Sequence, residues 1–234
     1  MKKTLLAAAA ILAVGCLASQ AQVYSQNIVG YYNISLTGGQ FSLVSGQLAN
    51  SDGSNSVNNV LGAGLSSGNA QVLFWNGSSF NYYPYYNAAD ADPSPAGFYD
   101  VNGNYCTNNL SPGAGAFLVN PSSATITVVG TVPQGGYTNY IYPGFNVYSV
   151  SVPVSTNLDS TLINFPATSS SDQLLLWTGS SYNYYTYYDA ADADPSPSGW
   201  YDVNGNLAPN PAVGTSFFVE HYGSTLTWTN NPTF

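Results

Sequence analysis

The side chains best equipped for chemistry in this sequence are its aspartates, and they are bunched. Seven of the 11 carboxylates fall in two stretches: Asp90, Asp92 and Asp100 in one, and Asp189, Asp192, Asp194 and Asp202 in the other. Two unit charges 4 Å apart at an effective dielectric of about 20 repel by roughly 4 kcal/mol. No lysine or arginine lies near enough in sequence to offset this, since Lys2 and Lys3 are the only two. The loops are therefore expected either to splay into salt-screened solvent or to hold a cation. Calcium suits a site made of oxygen ligands alone. The segments Asp100-Val101-Asn102-Gly103-Asn104 and Asp202-Val203-Asn204-Gly205-Asn206 place oxygens at positions 1, 3 and 5. The candidate metal set is Asp90, Asp92, Asp100, Asn102, Asp192, Asp194, Asp202 and Asn204. These are not EF-hands, because glycine comes fourth and Ser111 or Val213 stands where a bidentate glutamate is needed. A competing reading makes Asn102-Gly103 and Asn204-Gly205 the centres of type I′ hairpin turns, and turn and metal can coexist. Asp-Ala-Asp-Pro-Ser-Pro likewise reads as a solvated turn stiffened by proline.

Tyrosine supplies the second kind of chemistry. Asn81-Tyr82-Tyr83-Pro84-Tyr85-Tyr86 and Asn183-Tyr184-Tyr185-Thr186-Tyr187-Tyr188 put rings on both faces of a strand, because successive side chains alternate. One face must pack; the other is available to a ligand. Planar rings beside Asn and Asp suit a polysaccharide surface or a protein interface, and Tyr82, Tyr83, Tyr184, Tyr185 and Trp200 are the ligand candidates. A glycosidase would need two carboxyls about 5 to 9 Å apart, one with a raised pKa. A well-solvated loop does not raise a pKa, so the chain is read as non-catalytic. Cys106 reads as a small buried side chain. His221, beside Glu220 in an edge-like strand, reads as a surface histidine without metal partners.

The elements that position these residues follow from composition and repetition. Met1 to Ala21 has two lysines, an apolar run from Leu5 to Val14 and small residues up to Ala21, the three-part pattern of a secretory signal. A lipobox reading, with Cys16 acylated, competes with it. Removal of residues 1–21 leaves 11 carboxylates, one histidine and no lysine or arginine. Such a chain cannot neutralise phosphates or anionic headgroups, which sets aside nucleic acids and polybasic membrane docking. No later apolar segment is long enough for a membrane-spanning helix. Cys106 is then alone, so no intrachain disulfide is expected.

Trp75 to Asn104 returns 102 residues later as Trp177 to Asn206, with 24 of 30 positions identical. Weaker similarity pairs Phe41–Ser45 with Phe145–Ser149, and Gly115–Val119 with Thr215–Val219. Two domains are expected, 22–132 and 133–234, joined near Thr131 to Gly136. Good helix formers are scarce while Tyr, Val, Thr, Phe and Ile abound. Short strands punctuated by Gly, Asn, Ser and Pro predict an all-β chain of two homologous tandem sandwiches or small barrels. Candidate strands in copy 1 are 28–36, 41–48, 71–75, 80–86, 97–101, 115–119 and 124–129. Residues 49–69 read as a surface loop.

The start QVYSQNIVGYYN, the W-x-G turn, the Tyr-rich strand, the G-[FW]-Y-D-x-x-G element and the F-[LF]-V strand resemble a family of secreted tandem-repeat β proteins of Gram-negative environmental bacteria. That resemblance implies export and tandem β units, and no activity. The expectation is a secreted extracellular or cell-surface protein that is structural or surface-interacting, stabilised by calcium. The alternative is a carbohydrate-binding protein using its Tyr and Trp faces. Residues 22–29 have no counterpart in copy 2 and could add to a neighbour's sheet edge, giving self-association.

Overall fold

Alternation along the first strand already divides inside from outside. In β1 (Val29–Leu36), Tyr32, Ile34 and Leu36 are buried while Tyr31, Asn33 and Ser35 face solvent. The computed structural model describes residues 28–50, 53–62, 64–90, 95–134, 136–167, 171–189 and 197–230. The expected signal and Asp92, Asp192 and Asp194 lie outside the described residues.

In copy 1, β1 pairs antiparallel with β7 (Ala124–Thr131) as a ribbon. It faces a five-stranded sheet of β2 (Phe41–Ser45), β6 (Gly115–Val119), β3 (Gln71–Trp75), β4 (Phe80–Tyr86) and β5 (Gly97–Phe98), in that order. Copy 2 repeats the plan. Its ribbon joins β8 (Tyr137–Ile141) to β14 (Leu226–Asn230), and its sheet runs β9 (Gly144–Tyr148), β13 (Phe217–His221), β10 (Gln173–Trp177), β11 (Tyr182–Tyr188), β12 (Gly199–Tyr201). The sheets do not close, so these are two sandwich-like units and not barrels.

Two departures from the sequence expectation have clear causes. Residues 49–69 are not simply a surface loop: they include α1 (Val57–Leu61), whose Val57, Val60 and Leu61 are buried. Ser56 caps this short helix by accepting the Asn59 N–H. The second departure is a register error of one residue. Leu73 opposes Phe117 and Leu175 opposes Phe218, so Phe117 corresponds to Phe218 rather than to Phe217.

That register explains why β6 and β13 are nearly continuous apolar runs. A strand buried on both faces needs no polar alternation. Ala116 and Leu118 enter the core of copy 1, and Phe217 and Val219 that of copy 2. Phe117 and Phe218 point the other way, into a third cluster between the copies with Leu43, Leu73, Trp75, Phe80, Val147, Leu175, Trp177 and Tyr182. The contacts are reciprocal. Phe117 meets Trp177 with ring centroids 5.3 Å apart, and Phe218 meets Trp75 at 6.0 Å. Trp75 Nε1 donates to the Phe145 carbonyl at 2.7 Å, and Trp177 Nε1 to that of Phe41 at 2.6 Å. Ser45 N–H donates to Gly214 C=O, and Ser149 N–H to Gly113 C=O. Each of these contacts has its mate with the copies exchanged, the signature of an isologous interface built within one chain.

Candidate functional site

Asp100 and Asp202 carry out a structural task. Asp100 Oδ1 accepts the N–H groups of Asn102 and Asn104, both at 2.8 Å, and Oδ2 accepts the Asn104 side-chain amide at 2.8 Å. Asp202 repeats this with Asn204 and Asn206 at 2.8 to 3.0 Å. The donated hydrogen bonds, led by the Asn104 and Asn206 side chains, hold both carboxyls below the usual carboxylate range. Backbone and amide dipoles thus supply the compensation that basic side chains do not. The turn also differs from the expected type I′, which needs positive φ at both central residues. Gly103 and Gly205 have φ of 79° and 78°, but Asn102 and Asn204 do not enter that region. Gly103 N–H closes on Asp100 C=O, and Asp100 N–H on Asn104 C=O. This is a type I turn finished by a left-handed glycine.

Asp90 Oδ2 accepts the Ser67 hydroxyl and the Asn87 N–H. Among the described residues no group of three or more His, Cys, Asp or Glu is placed to hold a metal. Asp100 and Asn102 share one tight turn, as do Asp202 and Asn204, and Asp90 sits apart on the Ser67–Asn87 corner.

The tyrosine candidates separate by face. Tyr82 and Tyr184 occupy equivalent positions and are 51% and 56% exposed. Tyr82, Tyr83, Asn81, Asp100, Val101 and Asn102 border a shallow groove of about 260 Å³. Tyr83 is half-buried, its ring edge-on to Phe74. Tyr185 and Trp200 are corrected from ligand candidates to core residues. Trp200 is 2% exposed and packs on Phe165 and Tyr187. All three residues of β12 are buried, so Trp200 has no exposed face to offer.

His221 is the second correction. It is buried, since β13 lies between β10 and β9 and is no edge. Its Nδ1 lies 2.9 Å from Asp172 Oδ2 and its Nε2 2.8 Å from the Ser224 carbonyl. The ring is thus held between two oxygens, a carboxylate oxygen on one side and a backbone carbonyl on the other. Asp172 Oδ1 also accepts the Tyr222 N–H. Cys106 is buried as expected, and burial pushes its thiol up.

Asp159 was not singled out from the sequence. In copy 1, Asn58 Oδ1 accepts Phe98 N–H at 2.6 Å and Nδ2 donates to Cys106 C=O at 2.8 Å. Asp159 occupies the corresponding place beside Gly199. Its Oδ2 is buried without a hydrogen-bond partner, as is Trp200 Nε1. Burial pushes the Asp159 carboxyl up to about 6. Only the comparison of the two copies in space reveals the exchange of amide for acid, because it falls outside the 30-residue repeat.

Comparison with protein families, with curated proteins and with solved structures finds no match for this chain.

Proposed function

We propose that this is a secreted, non-catalytic protein of the extracellular space or cell surface, which presents repeated aromatic surfaces to a partner from a rigid paired scaffold. The observation that carries this reading is the equivalent exposure of Tyr82 and Tyr184 on two copies locked together by Phe117, Phe218 and the two tryptophan hydrogen bonds. Most of the chemically capable side chains described above are already engaged: Asp100 and Asp202 in their turns, Asp172 with His221, and Cys106 in the core. Two equivalent sites on one scaffold give avidity for a repetitive partner without requiring strong single contacts.

A second reading, polysaccharide binding, is favoured by the groove where the exposed Tyr82 ring meets Asn81 and Asn102. Light scattering and pull-down on insoluble polysaccharides separate the two. Self-association that is lost in the Tyr82→Ala/Tyr184→Ala double variant supports a protein partner of the same kind. Polysaccharide retention lost in that variant supports the second reading. Neither behaviour in the unaltered chain, with or without millimolar calcium, removes the proposal. The described end of the N-terminal segment bears on the assembly route. Ile28 C=O accepts the Val132 N–H and Val29 opposes Thr131, so this part pairs within its own copy.

A further inference from the structure

The isologous interface leaves a cleft on one flank that is larger than the Tyr82 groove and chemically different from it. It has a volume of about 450 Å³, within the range of small-molecule sites. One wall comes from copy 1, through Asn33, Thr37 and Gln40 on the β1–β2 corner. The other comes from copy 2, through Trp177, Asn183 and the Pro209-Asn210-Pro211 segment. No Asp, Glu or His is among its lining residues. With no Lys or Arg there either, the walls carry no formal charge.

Three side chains in this cleft stand out. The carboxamides of Gln40, Asn183 and Asn210 hydrogen-bond nothing else among the described residues. Their copy 1 counterpart at one position is engaged, since Asn81 accepts from the Asn76 amide. A carboxamide offers two donors and one acceptor group at fixed geometry, which matches neighbouring hydroxyls that both donate and accept. Trp177 lines the same cleft, its indole fixed by its bond to Phe41 C=O and by edge contacts with Phe117 and Tyr182. A ring held rigid contributes apolar contact at little entropic cost on binding. The opposite flank, around Ser111–Ala114 and Tyr137–Tyr142, has a smaller cleft of about 310 Å³. Gln40, Asn183 and Asn210 have no part in it.

We infer that the cleft between the copies, lined by Gln40, Asn183, Asn210 and Trp177, binds a neutral oligosaccharide. Free amides read hydroxyls, the indole takes an apolar sugar face, and the uncharged walls impose no penalty on an uncharged ligand while the acidic surroundings disfavour anionic ones. This site is separate from the exposed tyrosines, so the inference does not depend on the preceding proposal.

The test is calorimetric titration of the purified chain with neutral β-glucan, xylan and mannan oligosaccharides, and with oligogalacturonate as the anionic control. The expected result is binding of at least one neutral member, weakened about tenfold or more in Gln40→Ala and in Asn183→Ala, which corresponds to about 1.4 kcal/mol. Both residues are exposed, so circular dichroism and melting should be unchanged in these variants. The Tyr82→Ala/Tyr184→Ala variant is titrated alongside, and Val203→Ser, at an exposed position outside the cleft lining, should bind as the unaltered chain does. Binding abolished by the tyrosine variant and untouched by the amide variants would place sugar recognition on the tyrosine faces and overturn this inference. Absence of binding by every neutral oligosaccharide, or preference for oligogalacturonate, overturns it as well.

Discussion

At the scale of single residues, the duplication provides an internal control for what one atom does. Asn58 and Asp159 occupy the same place, yet only Asn58 has an N–H to give the facing carbonyl. Asp159→Asn is expected to stabilise the protein at pH 7 by about 1 kcal/mol, after discounting for the partial solvent access of that carboxyl. The sign follows from the raised pKa. A carboxyl at about 6 when folded and near 3.8 when unfolded binds more protons in the folded state, so stability from this site falls as pH rises between those values. Melting curves from pH 4 to 7 check this: the gap between variant and unaltered chain should widen across that window. A constant gap would show that Asp159 is not the titrating group. His221 presents the opposite case. Removing its ring leaves Asp172 Oδ2 buried without its partner and opens a cavity, so His221→Ala should cost about 3 kcal/mol, measured by urea denaturation.

At the scale of elements, the tryptophans that end β3 and β10 fasten one copy to the other. Trp75→Phe and Trp177→Phe should each cost about 1 kcal/mol through the lost indole hydrogen bond. The two costs should be similar because the contacts are mates, and a double-mutant cycle would reveal coupling through the shared Phe117 and Phe218. Markedly unequal losses would show that the interface is not symmetric in energy. Much of this level was legible in the sequence. β3, β4 and β6 lie where alternation and apolar runs put them, at Gln71–Trp75, Phe80–Tyr86 and Gly115–Val119. α1 was hidden because Asn and Ser dominate its surroundings and its five residues carry too little periodicity to stand out. The candidate site was less legible. Tyr82 and Tyr184 are exposed as alternation allows, but Trp200 and His221 are buried by neighbouring strands that lie far off in sequence. The cleft could not be foreseen, since Gln40 and Asn183 meet only through packing of the two copies.

At the scale of the whole molecule, two sandwich-like units that share an aromatic cluster should unfold together. Differential scanning calorimetry is expected to show one transition, and Gly115→Ala should lower it or split it in two. A methyl group at Gly115 would sit 2.3 Å from Ser216 Cβ and 2.8 Å from Val147 Cγ1. Overpacking of that kind costs about 1 to 3 kcal/mol. An unchanged melting profile would mean that the copies can slide apart at no expense. Gly115 and Ser216 are themselves mates across the interface: Gly115 opposes Ser45, and Ser216 follows from the Phe217–Tyr148 pairing to lie level with Ser149. Only one of the two positions can therefore carry a side chain. Two serine-bearing halves would collide at the meeting point, and two glycine-bearing halves would leave a hollow there. The halves have become lock and key to one another, so neither can substitute for its sibling, and drift at one position constrains what the other may accept.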